Sequence, residues 1–125
     1  MIRLTKDQVL RLHKSLIETF GGEAGIRDQN LLDLSLKIPF QTFDGKDLYP
    51  GPIKKIVHLA FSLIRNHPFV DGNKRIGAHL MLLLLEMNGY ILEYTQEELI
   101  DLILAVAASN KSEDELLYWV KDHIL

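Results

Sequence analysis

The feature that most constrains this chain is the stretch from about Asn73 to Met87, which reads as a helix apolar almost all round through Ile76, Ala78, Leu80, Met81, Leu82, Leu83, Leu84 and Leu85. A helix without a polar face must be surrounded, so this one is expected to be the buried centre of the domain, with Asn88-Gly89 closing it. The chain has 125 residues, which suits one ordinary domain over residues 1–125. The remaining segments must therefore wrap that helix.

Their spacing agrees. Thr5 with Gln8 is a capping box, and Val9, Leu12, Leu16 and Phe20 follow at helical intervals until Gly21-Gly22, giving a first helix over about 5 to 20. Asp28 is placed to cap a second helix through Leu31, Leu32, Leu34 and Leu36, which Pro39 ends. From Phe40 to Pro50 an Asp44-Gly45 turn sits between short aromatic stretches, so this segment is either a loop or a small flap. Pro52 suits the first turn of a third helix, whose face of Ile53, Ile56, Val57, Ala60, Phe61 and Ile64 runs to about Asn66. Thr95 with Glu98 and Ser112 with Glu115 are further capping boxes, opening helices of about 95 to 108 and 112 to 124. The expected fold is all-α, a compact bundle of about six helices.

The hydrophobic fraction of 47% with 25% charged residues is that of a globular chain. There is no cysteine, which excludes disulfides and thiolate metal sites, and the start Met1-Ile2-Arg3-Leu4-Thr5-Lys6 carries no signal-type apolar run, so a cytoplasmic location is expected. The apolar run Leu80 to Leu85 is far shorter than the roughly 20 residues of a membrane span. A formal net charge of −3 gives no overall attraction to nucleic acid, and two cations on an otherwise apolar helix do not make a DNA reader. Any anion site must be local.

Such a place lies between the third and fourth helices, where His67-Pro68-Phe69-Val70-Asp71-Gly72-Asn73-Lys74-Arg75 brings together a histidine, a carboxylate, an amide and two cations. Gly72 allows close approach of the backbone, and the first N–H groups of the fourth helix have no intrahelical partner, so phosphate fits there. Lys74 and Arg75 stand in the first helical turn, where the helix dipole disfavours a cation by roughly 0.3–1 kcal/mol; an anionic ligand reverses that sign. Two roles are open to Asp71: to hold a divalent cation through phosphate oxygens, or to cap the helix and pair with Lys74 and Arg75. Histidine is the one side-chain type here with an ordinary pKa near neutrality, so His67 is the candidate acceptor of a proton from an attacking hydroxyl. Pro68 takes His67 out of helical geometry and Phe69 anchors the loop in the core. His13, His58, His79 and His123 read as structural or surface histidines, and the reversed Asp122-His123 pair is not a His-Asp phosphohydrolase motif.

These nine residues resemble the Fic/Doc signature His-Pro-Phe-x-Asp/Glu-Gly-Asn-Gly/Lys-Arg. Similarity to the smaller death-on-curing (Doc) branch extends over nearly the whole chain, including Phe20-Gly21-Gly22, Gly25-Ile26-Arg27-Asp28, Leu48-Tyr49-Pro50 and Asn66-His67. The resemblance implies an all-helical fold with the motif between two central helices. It implies that His67 is the base, Asp71 the ligand of Mg2+, and Gly72, Asn73, Lys74 and Arg75 the contacts to the phosphates of ATP. Arg65 matches a further arginine of the Doc branch and is grouped with His67 and Lys74 as catalytic. Adenylylating members have Gly where this chain has Lys74, and Lys marks the Doc branch, whose activity is transfer of a terminal phosphate to a threonine of elongation factor Tu, stopping translation. The inhibitory pattern Ser/Thr-x-x-x-Glu-Gly/Asn is absent from this sequence. The resemblance thus implies control by a separate small antitoxin whose tail lies in a groove beside the site. The rivals are an AMP transferase and a catalytically inactive antitoxin-binding module; the intact base, carboxylate and cradle speak against the latter.

Overall fold

A computed structural model describes residues 1–125, and it is all-α apart from one two-stranded hairpin. Six helices follow in order: α1 (Lys6–Phe20), α2 (Gln29–Lys37), α3 (Pro52–Asn66), α4 (Asn73–Met87), α5 (Gln96–Ala107) and α6 (Glu113–His123). The helix starts read from the sequence are formed by the side chains expected. Thr5 Oγ1 accepts from Gln8 N–H while Gln8 Oε1 accepts from Thr5 N–H, and Ser112 and Glu115 make the same reciprocal pair. Asp28 Oδ1 accepts from Leu31 N–H at 3.0 Å, and α2 gives way to a single 3-10 turn, Ile38–Phe40, at Pro39.

Two expectations need correction. The Thr95 box is half formed: Thr95 Oγ1 accepts from Glu98 N–H, but the Glu98 carboxylate turns to His123 Nε2 at 2.9 Å and so ties α5 to α6. A tertiary partner has won over the local one. The fourth helix is central but not enclosed. Ile76, Gly77, Leu80, Met81, Leu84 and Leu85 are buried, while Lys74, Arg75, His79 and Glu86 reach the surface.

Helices α3 and α4 share the most extensive interface in the molecule. They meet at Gly77, where an added Cβ would lie 2.6 Å from Ile64 Cγ1 and 3.2 Å from the Ala60 carbonyl oxygen. One core is built on this crossing and takes residues from all six helices, among them Val9, Leu32, Leu63, Leu84, Leu102 and Leu116. No helix is long and apolar enough to cross a membrane.

The segment before α3 is a flap rather than a loop. Strand β1 (Thr42–Phe43) pairs antiparallel with β2 (Lys46–Asp47), Thr42 opposite Asp47 and Phe43 opposite Lys46. Asp44 and Gly45 both have positive φ, as a two-residue hairpin turn requires. The flap's base is held to α3 by Lys55 Nζ, which donates to Asp47 Oδ2 and the Tyr49 carbonyl, and by Tyr49 stacked on His58 with centroids 3.9 Å apart.

The α3–α4 crossing leaves no room for a methyl group. Gly77→Ala should cost about 1–3 kcal/mol of stability, the usual penalty of overpacking, despite the better helix propensity of alanine. Denaturant unfolding measures this; a variant as stable as the parent would mean that the helices separate freely at this point.

Candidate active site

The nine-residue segment forms the joint between α3 and α4, and its shape follows from what its ends must do. Helix α3 stops at His67, which takes the left-handed conformation (φ 50°, ψ 57°), as Pro68 opposes further right-handed helix. Phe69 then enters the core at 1% exposure, with its ring stacked on buried His13 of α1, centroids 3.8 Å apart. The chain returns through Gly72, also left-handed (φ 75°), into α4.

The Asn73 side chain locks this joint. Its Oδ1 accepts from Phe69 N–H and its Nδ2 donates to the Phe69 carbonyl, both at 3.0 Å, and the residue is only 7% exposed. A second hold comes from His13, whose Nε2 lies 2.8 Å from the Asp71 carbonyl oxygen. A carbonyl only accepts, so Nε2 carries the proton. A third comes from the segment before α2: Arg27 N–H and Asp28 N–H both donate to the Pro68 carbonyl, Val70 N–H donates to the Gly25 carbonyl, and Ile26 bridges to Phe69.

Around this joint lies a cleft of about 700 Å3, lined by Phe20, Gly21 and Gly22 of the α1 end and by His67 and Val70 to Arg75 of the motif. The structure thus brings His67, Asp71, Gly72, Asn73, Lys74 and Arg75 together. Arg65 is not among the lining residues; it lies in the last turn of α3 with its guanidinium 5.5 Å from the Phe61 ring centroid. No side chain caps α4, and Ile76 N–H is the first to reach an intrahelical carbonyl, that of Gly72. The main-chain N–H groups of Asn73, Lys74 and Arg75 are left at the cleft, a ready cradle for an anion.

The arrangement in which Asp71 caps the helix and neutralises the two cations is not formed. Asp71 Oδ2 accepts from Glu23 N–H at 3.1 Å and Oδ1 from Gly72 N–H at 2.8 Å. Arg75 Nη1 instead donates to the Gly21 carbonyl at 3.0 Å, over the Phe20 ring, and Lys74 is exposed at the cleft mouth. The Glu23 N–H, then the Gly72 N–H, and then the charges of Arg75 and His13 hold the Asp71 carboxyl below its ordinary value, with burial opposing them. Gly22 makes the approach possible, as a Cβ there would sit 2.6 Å from Asp71 Oδ2. No group of three or more His, Cys, Asp or Glu side chains is gathered to hold a metal. A lone ionised carboxylate fits Mg2+ only in the mode in which phosphate oxygens and waters supply the other ligands.

The Fic/DOC family model matches residues 3–85, well over half of the chain. The chain belongs to the Fic/Doc family. It is also 44% identical over 70 residues to a protein named Toxin Doc from Mycolicibacterium smegmatis, a match covering 56% of this chain and 54% of that protein. The chain thus spans about half the length of the curated relative it matches. Within the Fic/Doc frame, sequence reasoning gave His13 no part in the site and Arg27 no individual role. His13 falls between Val9 and Leu16 on the buried face of α1, and a polar residue there was the available signal. Arg27 stands in the Gly25-Ile26-Arg27-Asp28 stretch of family similarity, but its partner His67 lies 40 residues away, beyond the reach of local spacing.

A depressed carboxyl pKa contributes stability that is fully present above the unfolded value and is lost as pH falls through the folded one. Asp71 should therefore stay ionised and hold Glu23 and Gly72 throughout the neutral and mildly acidic range. Carboxyl-carbon NMR titration should place its midpoint below the ordinary 3.8. A midpoint at or above that value would show that the two N–H contacts do not persist in solution.

Proposed function

We propose that this Fic/Doc chain transfers the terminal phosphate of ATP to a protein hydroxyl, a threonine of elongation factor Tu, and so arrests translation in the cytosol. The observation that carries the reading is Lys74: a free cation at the mouth of the cleft, beside three open main-chain N–H groups and within the same cleft as His67. A fixed cation where phosphoryl charge accumulates stabilises that charge, and its bulk denies a nucleotide the space that glycine leaves in adenylylating members.

In this mechanism a ring nitrogen of His67 takes the proton of the threonine hydroxyl as its oxygen bonds to the terminal phosphorus. The bond from that phosphorus to the bridging oxygen of ADP breaks, and ADP leaves with the electron pair. The N–H groups of Asn73, Lys74 and Arg75, the Lys74 ammonium and the remaining Arg75 donors bind and orient the phosphates; Gly72 allows their close approach. The Asn73 side chain serves the loop, so this residue reaches an anion through its backbone. Asp71 is the residue that would hold Mg2+, which would neutralise phosphate charge when bound. Arg65, outside the cleft lining, joins the catalytic group only through the Doc pattern.

The flap, with an exposed Phe43, is suited to align a strand of the protein target by edge pairing. For control, a groove of about 390 Å3 runs from the site between α1, α4 and α5, with Leu16, Phe20, Leu82, Ile100 and Leu104 in its walls and Lys74 and Arg75 at one end. We place the tail of a small antitoxin there. The shared core of all six helices supports reading residues 1–125 as one Fic/Doc domain, although the family match ends at 85.

Parallel assays with ATP labelled at the terminal or at the innermost phosphate, using purified elongation factor Tu, test the proposal. The terminal label should pass to protein. His67→Ala should lower transfer about 10²–10⁴-fold, and Lys74→Gly by at least ~10²-fold. Passage of the innermost label would make the chain an AMP transferase, and no passage of either label would leave it an antitoxin-binding module.

A further inference from the structure

Three consecutive carbonyls at the end of α3, those of Asn66, His67 and Pro68, all accept from one dipeptide. The Pro68 carbonyl takes the two main-chain N–H groups of Arg27 and Asp28. The other two take the Arg27 side chain, with Nε donating to the His67 carbonyl at 2.5 Å and Nη2 to the Asn66 carbonyl at 2.8 Å. A guanidinium suits this place because its planar fork reaches two acceptors at once, and its charge faces the negative end of the α3 dipole.

The peptide so held is that of His67, a non-glycine residue in the left-handed region. Such a conformation is disfavoured for a residue with a side chain and persists only where its surroundings impose it. Arg27 is exposed and lies outside the cleft lining, with its guanidinium spent on the α3 carbonyls. We propose that Arg27 is a positioning residue for the transfer reaction: its side chain imposes the His67 backbone conformation and so presents the imidazole to the attacking hydroxyl. The proposal rests on His67 being the base.

Loss of the Arg27 side chain leaves the backbone bonds to Pro68, the Asn73 lock and the Phe69 anchor in place. The loop should stay folded while the His67 peptide is freed. A misplacement of about 1 Å at a reacting group costs on the order of 10²-fold in rate.

The test uses the full chain with ATP and elongation factor Tu, beside NMR spectra of the isotope-labelled protein. Arg27→Ala should lower kcat about 10²-fold and leave the KM for ATP within about threefold, as expected when orientation rather than binding is lost. The thermal midpoint should hardly move. Arg27→Lys, with a point charge in place of a fork, should fall between, and added guanidinium ion at non-denaturing concentration should restore part of the Arg27→Ala rate. In the spectra of Arg27→Ala the amide and ring resonances of His67 should shift or broaden. Wild-type kcat in Arg27→Ala, or unchanged His67 resonances, would overturn the proposal, as would a joint loss of kcat, KM and thermal midpoint. Should His67→Ala transfer label at the full rate, it is the base assignment that falls; the His67 resonances still decide whether Arg27 sets that backbone.

Discussion

Two hydrogen bonds from one buried amide hold the site together. Asn73 closes a ring onto both backbone groups of Phe69, four residues earlier, in a place where neither group has water to turn to. Each unpaired buried polar group costs about 1–3 kcal/mol, so the two bonds are obligatory once Phe69 is in the core. Phe69 in turn is held by its burial and by the stacked His13 ring. Everything between Phe69 and Asn73 is then a short closed loop whose ends cannot move independently.

From this closure the polar groups divide into two sets. His13 and the Asn73 side chain are buried and hydrogen-bonded to the backbone of the loop. His67, Asp71, Lys74 and Arg75 are exposed and face the cleft. The carboxylate of Asp71 is supported from the α1–α2 connection through Glu23 N–H, and Arg75 from the end of α1 through the Gly21 carbonyl. The cleft is thus a joint between two chain segments. Its charge order, one anion held low in pKa and two cations at a helix N-terminus, makes little sense for the chain alone and good sense around a phosphate chain.

The helical frame was legible because its signals are local. Thr5, Asp28 and Ser112 cap where they were expected to, and α3 and α4 have the bounds their apolar spacing gives. The flap is ambiguous in the sequence because a two-residue strand has too little periodicity to reveal itself; the Asp44-Gly45 turn is its one trace. The site's members were legible as a motif, but the division of labour among them was not. Asn73 and Lys74 are adjacent in sequence, yet one points into the core and the other into solvent, and only the packing of α4 on α3 decides which. The same limit hid Arg27, whose partners lie 39 and 40 residues away. It also hid the Glu98–His123 contact that dissolves half a capping box.

The Phe69–Asn73 bonds hold the loop ready before any ligand arrives. Hydrogen exchange of Asn73→Ala, compared with the parent protein in the absence of nucleotide, tests this most directly. The expected result is protection of the Phe69 amide in the parent, its loss in the variant together with faster exchange from His67 to Gly72, and unchanged protection in the middle of α3 and α4. An unprotected Phe69 amide in the parent, or equal protection in both proteins, would contradict it.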